Sequence, residues 1–337
     1  MSKNSLEELN KILSAQPPFR LKQARSFVFK ELGDSWTDAK ILPAELRQKL
    51  DREFPLLIKA QVFESRKSAG VKILLTLSDG LKIESVLMRH QDGRNTVCVS
   101  SQAGCPLGCL FCATGQIGFK RNLTAWEIVQ QVLFFARLLK KENQRVSNVV
   151  FMGMGEPFLN YDNVFKAIEI LNDKNGLNIG ARHISISTVG IIEGLEKLSR
   201  ETLQVNLAIS LHAPNDNLRS QIMPVNRKYP LTKIIEAVDR YMEKTKRKVM
   251  LEYILLKDVN DSVANAQELA ALIKKPLYVI NLIFYNQTAA FESSPGKKIK
   301  KFKEVLQKAG LEVSQRYRFG EDIKAACGQL AGEKQVD

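Results

Sequence analysis

The chain has 337 residues, of which 45% are hydrophobic, and its formal net charge is +14. No apolar run is long enough to cross a membrane, which excludes a membrane-spanning protein and is typical of a soluble globular one. The N-terminus lacks the apolar core of a signal peptide, so we expect a cytoplasmic protein in which cysteines serve metal or redox roles. The positive surplus favours a polyanionic partner such as nucleic acid, although solubility alone is the alternative explanation.

The first 90 residues predict a small N-terminal accessory domain. Residues 4–66 carry apolar residues at helical spacing, as in LEELNKILSA and LPAELRQKLDREF, and predict a basic helical segment. The following VKILLTLSDGLKIESVLMR predicts two strands joined at Asp79-Gly80. We therefore expect helices plus a β-hairpin in residues 1–90, with RNA binding as their expected role.

From residue 91 onward, short β-branched runs alternate with helical stretches. Six such runs, from NTVCVSS to PLYVINLIFY, are separated by segments such as TAWEIVQQVLFFARLLKK. Repeated units of this kind predict parallel strands with crossover helices, hence an α/β fold with an incomplete (β/α)6 barrel over residues 91–322. The carboxyl ends of barrel strands form the active face. Residues 323–337 are expected to form a C-terminal tail.

Three cysteines, Cys105, Cys109 and Cys112, lie together in the stretch GCPLGCLFCATG. Zinc sites usually use four ligands in two pairs, and no fourth cysteine or histidine lies nearby in the sequence. Iron–sulfur clusters take one thiolate per iron. The spacing therefore predicts a [4Fe-4S] cluster with one open iron, which can chelate an amino and a carboxylate group. Three cysteines that act only as small apolar residues fit this clustering poorly.

Polar residues at the ends of the later strands are candidate ligand contacts. In MGMGEP, Gly153 and Gly155 allow close backbone approach, and Glu156 can accept hydrogen bonds from an ammonium group. Further candidates at strand ends are Ser187, Ser210, His212 and Asn286. Each could be an ordinary satisfied polar residue, but their recurrence on one rim favours ligand contact.

Two cysteines lie outside the three-cysteine loop. Cys98 is on the first barrel strand, and Cys327 is in the tail stretch EDIKAACGQLAG. A lone free cysteine is most often a core residue. Two thiols that meet over one site could instead carry a group and then resolve it by thiol–disulfide exchange.

The cysteine loop resembles the signature of the radical S-adenosylmethionine superfamily, whose open iron binds the methionine end of the cofactor and whose cofactor is cleaved to a 5′-deoxyadenosyl radical. The stretches GCPLGCLFCATG, MGMGEP, LAISLHAPND and DIKAACGQLAG resemble the RlmN/Cfr group of RNA adenine methyltransferases over about residues 84–332. The resemblance implies a radical-SAM barrel and S-adenosylmethionine contacts from Gly155, Glu156, Ser187, Ser210, Leu211, His212 and Asn286.

The resemblance also implies roles for the other two cysteines and for one carboxylate. Cys327 takes a methyl group from a first S-adenosylmethionine, and a second molecule, making two per turnover, gives the radical that removes hydrogen from this S-methyl group. The carbon radical adds to adenine and leaves a covalent protein–RNA adduct, which Cys98 resolves by forming a disulfide with Cys327. Glu84 matches a general base, although its spacing to Cys98 is one residue longer than the family pattern. A solvated hairpin residue is the alternative for Glu84.

Members of the group methylate either C2 or C8 of adenine. The RlmN-like C2 enzymes act on 23S rRNA near the peptidyl-transferase centre and on the adenine beside the tRNA anticodon, whereas the Cfr-like C8 enzymes confer antibiotic resistance. LEYILL around Glu252 favours the C2 type, while ISISTVGII also occurs in the C8 type. We expect a monomeric C2 enzyme, not bound to a membrane and served by an electron-donating reductase or flavodoxin-like protein.

Two other classes of function stay open from the residues alone. A non-catalytic iron–sulfur RNA-binding regulator would explain the charge and the cluster, but gives no reason for Cys98 and Cys327. A radical enzyme acting on a peptide is less consistent with the surplus of Lys and Arg. The basic runs KTKRK (244–248) and GKKIKKFK (296–303) are either contacts to an RNA backbone or solvated helix faces.

Overall fold

The computed structural model describes residues 6–286, 290–315, 322–325 and 328–330. Its helices are α1 Leu6–Leu13, α2 Pro18–Phe29, α3 Ala44–Glu53, α4 Ala113–Gln116, α5 Ala125–Lys140, α6 Tyr161–Asn172, α7 Ile192–Leu198, α8 Asp216–Ile222, α9 Leu231–Thr245, α10 Val263–Leu272 and α11 Gly296–Lys308. Its strands are β1 Lys59–Glu64, β2 Gly70–Thr76, β3 Lys82–Arg89, β4 Asn95–Cys98, β5 Gln102–Gly104, β6 Phe119–Asn122, β7 Asn148–Phe151, β8 Ile184–Thr188, β9 Asn206–Ser210, β10 Val249–Leu255, β11 Tyr278–Phe284 and β12 Glu312–Gln315.

Ten strands form one mixed sheet in the order β1-β2-β3-β4-β7-β8-β9-β10-β11-β12. In this order, neighbouring strands from β1 to β4 pair antiparallel, and neighbouring strands from β4 to β12 pair parallel. β12 is the last strand in this order, so within the described residues the parallel part is an open sheet. The predicted α/β class with an incomplete barrel is confirmed.

Helices between the parallel strands cover the sheet because each presents an apolar face. α5 shows how the sequence sets this up: Thr124 and Glu127 form a reciprocal capping box at its start, and Trp126, Val129 and Phe135 are buried. The barrel strands are β-branched and largely buried, as expected for parallel strands covered by helices.

The N-terminal hairpin continues the barrel sheet through the pairing of β3 with β4. The predicted strands on either side of Asp79-Gly80 are β2 and β3, and Gly80 has a φ of +83° in the turn. The division into domains at residues 90 and 322 stays a prediction.

β1 departs from the sequence-based expectation. The pattern predicts helix up to residue 66, but Lys59–Glu64 is an edge strand that pairs only with β2 in the described sheet, so that part of the prediction is wrong. Its residues are mostly exposed, including Val62 and Phe63. A strand with little buried surface lacks the alternation of apolar and polar residues from which strands are predicted.

The described tail residues lie against both the turn between β1 and β2 and the cysteine loop. Asp322 accepts hydrogen bonds from the Ser65 hydroxyl at 2.6 Å and from the Arg66 N–H at 2.9 Å. Further along, the Gly328 carbonyl accepts a 2.8 Å bond from the Ala113 N–H. Among the described residues, no helix is both long and apolar enough to span a membrane.

Candidate functional site

The cysteine loop connects β5 to β6, which pair antiparallel as a separate small hairpin. Gly104 makes the close approach at the base of this loop possible, because its φ is +78° and a Cβ there would overlap the carbonyl oxygen of Gly118. The Cys105 N–H donates to the same Gly118 oxygen at 3.1 Å. Sequence reasoning missed this hairpin because its strands are too short to show a period.

Cys105, Cys109 and Cys112 line a common cavity. Burial raises the pKa of the Cys105 thiol to about 12 and that of Cys109 well above its usual value, and neighbouring thiols add to both shifts. Thiolates in this loop therefore need a strongly positive group beside them.

The donor set fits an iron–sulfur cluster better than a single ion. No group of three or more His, Cys, Asp or Glu side chains in the described part of the chain could hold one metal ion. A four-iron cluster is larger, and each thiolate binds a different iron, so its ligands share a cavity without meeting at one point. The three predicted cysteines satisfy that requirement.

The cavity has a volume of about 590 Å³, which is large enough for a nucleoside-sized ligand. Of the predicted residues it brings together, besides the three loop cysteines, Cys98, Gly155, Glu156, Ser187, Ser210, His212 and Asn286. Leu211 and Glu84 are buried outside its lining. The Leu211 N–H donates to the Glu252 carbonyl at 3.0 Å, so this residue ties the end of β9 to the middle of β10.

Gly155 and Glu156 hold the loop after β7 against neighbouring segments. Gly155 has a φ of +98°, and a Cβ there would lie 2.5 Å from the Gln102 side chain. The buried Glu156 carboxylate accepts backbone bonds of 2.9 Å from Phe158 and from Val189. Burial raises the pKa of Glu156 to about 7, although these hydrogen bonds oppose the shift. The carboxylate therefore fixes two loops of the rim and still faces the cavity.

His212 is a neutral, fixed group at the end of β9. Burial lowers its pKa to about 3, and the nearby Arg219 charge adds to this effect. Its Nδ1 accepts a 3.2 Å bond from the Ile254 N–H, and its ring lies edge-on to Phe111 with centroids 4.9 Å apart. Because Phe111 is in the cysteine loop, His212 connects the strand rim to that loop.

A row of polar side chains crosses the inner wall of the sheet. Ser210, Glu252, Asn281 and Ser314 are in register on β9 to β12. The Asn281 amide donates to Glu252 Oε2 at 2.8 Å, and the Ser314 hydroxyl donates to Asn281 Oδ1 at 3.0 Å. Sequence reasoning used Glu252 only as a subgroup marker and missed Asn281 and Ser314. The signal for Asn281 was a polar residue inside the otherwise apolar strand β11, whereas the largely polar β12 gave no such signal for Ser314.

Arg219 is a second feature that sequence reasoning missed. It is fully buried and donates to the carbonyl oxygens of Val189, Ser210, Leu211 and Tyr229 and to the side-chain oxygen of Asn226. Val189 follows β8, and Ser210 and Leu211 lie at the end of β9, so the guanidinium holds the ends of both strands together. The Ser187 and Ser210 hydroxyls lie 3.3 Å apart within this part of the rim.

The side-chain oxygen of Asn286 is a candidate ligand contact. Among the described residues its buried Oδ1 has no hydrogen-bond partner, and the side chain lines the cavity. A buried amide oxygen without a donor is costly, so this atom is suited to a donor on a bound ligand.

Of the two remaining cysteines, Cys98 is among the described residues and Cys327 is not. Cys98 is buried, pairs with Val86 on β3 and with Val150 on β7, and lines the cavity. Cys327 lies outside the described residues. Its described neighbours Ala325 and Gly328 both line the same cavity.

Glu84 is not a solvated hairpin residue. Only 1% of its surface is exposed, and it forms an ion pair of 2.9 Å with the equally buried Lys72. Sequence reasoning missed Lys72, since a lysine within an apolar strand gives no sign of its partner.

The comparisons with known proteins agree with this geometry. Residues 99–270 match the model of the Radical SAM superfamily. The probable dual-specificity RNA methyltransferase RlmN of Dictyoglomus thermophilum is 47% identical over 330 residues, covering 96% of this chain and 94% of the relative. Its counterpart in Geobacillus kaustophilus is 44% identical over 338 residues, covering 99% and 92%.

A solved structure is similar over the whole chain. The crystal structure of a radical SAM methyltransferase from Sphaerobacter thermophilus is 42% identical, covers 99% of both chains and superposes with a TM-score of 0.94. This structural likeness and the sequence identities over nearly the full length show that the chain belongs to the RlmN family of radical S-adenosylmethionine RNA methyltransferases.

Proposed function

We propose that this enzyme methylates C2 of an adenine in 23S rRNA near the peptidyl-transferase centre and of the adenine beside the anticodon in tRNA. The observation that carries the proposal is that one cavity is lined by three loop thiols, by the separate thiol of Cys98 and by both described neighbours of Cys327. A radical enzyme that does not carry a methyl group on a cysteine would have no use for Cys98 or Cys327 at this cavity.

Cys105, Cys109 and Cys112 would hold a [4Fe-4S] cluster with one iron open. When bound, the cluster and S-adenosylmethionine supply the radical chemistry that an unreactive aromatic carbon needs. The contacts we propose for S-adenosylmethionine are Gly155, Glu156, Ser187, Ser210, Leu211, His212 and Asn286. Leu211 would act through its position on the rim, since its side chain does not line the cavity.

Cys327 would carry the methyl group, and Cys98 would release the product. The Cys98 sulfur attacks the Cys327 sulfur, an S–S bond forms, and the carbon–sulfur bond to the base breaks. Its electron pair stays on the carbon, which takes up a proton to complete the methyl group. Before this release, Glu84 would accept the C2 proton, and the odd electron left on the base by radical addition would pass to a one-electron acceptor. Two external thiols, oxidised to their own disulfide, would reduce the Cys98–Cys327 disulfide before the next turnover. Two S-adenosylmethionine molecules are used per turnover.

The proposed partners are the two RNAs and an electron-donating reductase or flavodoxin-like protein, with the enzyme acting as a monomer. The net charge of +14 supports RNA as the substrate. The choice of C2 over C8 is supported by the LEYILL stretch and by the RlmN name of the relatives.

The test is anaerobic reconstitution with iron and sulfide, followed by assay on protein-free 23S rRNA and on tRNA separately. We expect 2-methyladenosine from both RNAs by mass analysis of the nucleosides. A Cys327→Ala variant should bind cluster and RNA but produce no methyladenine. Formation of only 8-methyladenosine, or undiminished methylation by Cys327→Ala, would contradict the proposal.

A further inference from the structure

Lys72 and Glu84 form an ion pair inside the N-terminal hairpin. Their side chains are 3% and 1% exposed, and Lys72 Nζ lies 2.9 Å from Glu84 Oε1. A buried lysine is rare unless it is paired, and the loss of either partner leaves a buried charge uncompensated.

The pair is on the face of the sheet that carries the cavity. Glu84 and Val86 are two positions apart on β3, so their side chains share one face, and Val86 lines the cavity. Lys72 on β2 is directly opposite Val86, and Val86 is directly opposite Cys98 on β4. Lys72, Val86 and Cys98 therefore follow one another across three adjacent strands.

The same ammonium group also reaches the tail. Lys72 Nζ lies 3.4 Å from the Lys324 carbonyl oxygen, and the tail is fixed two residues earlier by the bonds of Asp322 to Ser65 and Arg66. The Phe63 ring covers the ammonium, with the nitrogen 5.3 Å from the ring centroid.

We propose that Lys72 is a positioning residue that holds the Glu84 carboxylate and ties it to the tail carrying Cys327. This inference rests on the proposed function, in which Glu84 is the proton acceptor, and it assigns Lys72 as the fixed positive partner of that carboxylate. In the adduct an ionised carboxylate can take the proton from adenine C2: the C–H bond breaks, an O–H bond forms, the electron pair restores the aromatic ring, and the odd electron left by radical addition passes to a one-electron acceptor. Lys72 places that carboxylate relative to the methyl carrier without itself touching the reacting atoms.

The test compares Lys72→Met, Lys72→Gln, Lys72→Arg, Glu84→Gln and the double variant Lys72→Met/Glu84→Gln as reconstituted holoenzymes on 23S rRNA. Lys174→Met, at an exposed position outside the N-terminal domain, is the matched control for removal of a surface lysine. Three quantities are measured: methylation of Cys327 by mass spectrometry, covalent protein–RNA adduct on a denaturing gel, and methyladenosine formed in one turnover.

We expect Lys72→Met and Lys72→Gln to methylate Cys327 as the parent does, yet to accumulate adduct and to release methyladenosine at least about tenfold more slowly. The double variant should be no slower than Glu84→Gln, and Lys72→Arg should recover most of the rate. A lysine that only stabilises the fold would slow all three quantities together. If Lys72→Met does not fold, Lys72→Gln, which can still donate to the carboxylate, carries the same expectation.

Parent-like release by Lys72→Met or Lys72→Gln would overturn the inference. Loss of Cys327 methylation in either variant, or a double variant in which the two defects multiply, would overturn it equally. Failure of the proposed function would appear instead in the parent protein, as an absence of methyladenosine.

Discussion

The Ala113 N–H donates a 2.8 Å hydrogen bond to the Gly328 carbonyl, which joins the cysteine loop to the tail immediately after Cys327. A second bond of 2.6 Å, from the Thr114 hydroxyl to the Leu330 carbonyl, extends the contact. These two bonds therefore fix the position of the loop that would hold the cluster relative to the segment that would carry the methyl group.

Gly328 tests this relationship. Its φ is +82°, and a Cβ there would lie 3.3 Å from the Phe111 carbonyl oxygen. We expect Gly328→Ala to cost about 1 kcal/mol locally and to lower the methylated fraction of Cys327 several-fold, as measured by mass spectrometry of the tail peptide. Gly310→Ala is the control, because Gly310 has a similar φ of +80° with open space around it. Equal methylation of Cys327 in both variants would contradict the idea that this contact positions the tail.

Cys98 tests the release step. Because its thiol is buried in the cavity wall and would be the group that attacks Cys327, Cys98→Ala should stop at the covalent adduct. We expect protein and RNA to co-migrate on a denaturing gel, with almost no free methyladenosine. The Cys98→Ala/Cys327→Ala double variant should form no adduct. Normal turnover by Cys98→Ala would exclude this thiol from the mechanism.

Gly104 tests the base of the cysteine loop. Gly104→Ala should displace Gly118 and the Cys105 bond to it, so we expect iron content after reconstitution to fall to a small fraction of the parent value. Gly80→Ala has a comparable φ of +83° but open space, and it should keep its iron. Iron and acid-labile sulfide analysis of both proteins measures the difference. Full iron content in Gly104→Ala would contradict the role given to this contact.

His212 predicts part of the acid sensitivity of the apoprotein. Burial lowers its pKa from 6.5 to about 3, so between these values the unfolded chain binds more protons than the folded one. Its contribution to stability is complete above pH 6.5 and is lost as the pH falls towards 3. We expect His212→Gln to show a weaker fall in unfolding midpoint between pH 6.5 and pH 4 than the parent. His183→Gln, at an exposed position, should follow the parent; an unchanged slope in His212→Gln would refute the prediction.

The sequence was most informative where function and local chemistry coincide. β-branched runs predict the parallel strands, and the spacing of Cys105, Cys109 and Cys112 predicts a cluster loop that does open onto the cavity. Contacts between distant segments were not predictable in this way. The bond of Arg219 to Val189 and the ion pair of Lys72 with Glu84 depend on strand register and loop closure. No local period reports such relationships.

Ser65 and Asp322 are 257 positions apart and nevertheless share a hydrogen bond. This contact can form only after the whole barrel between the two residues has been synthesised, so the tail is the last segment to take its place against the β1–β2 turn.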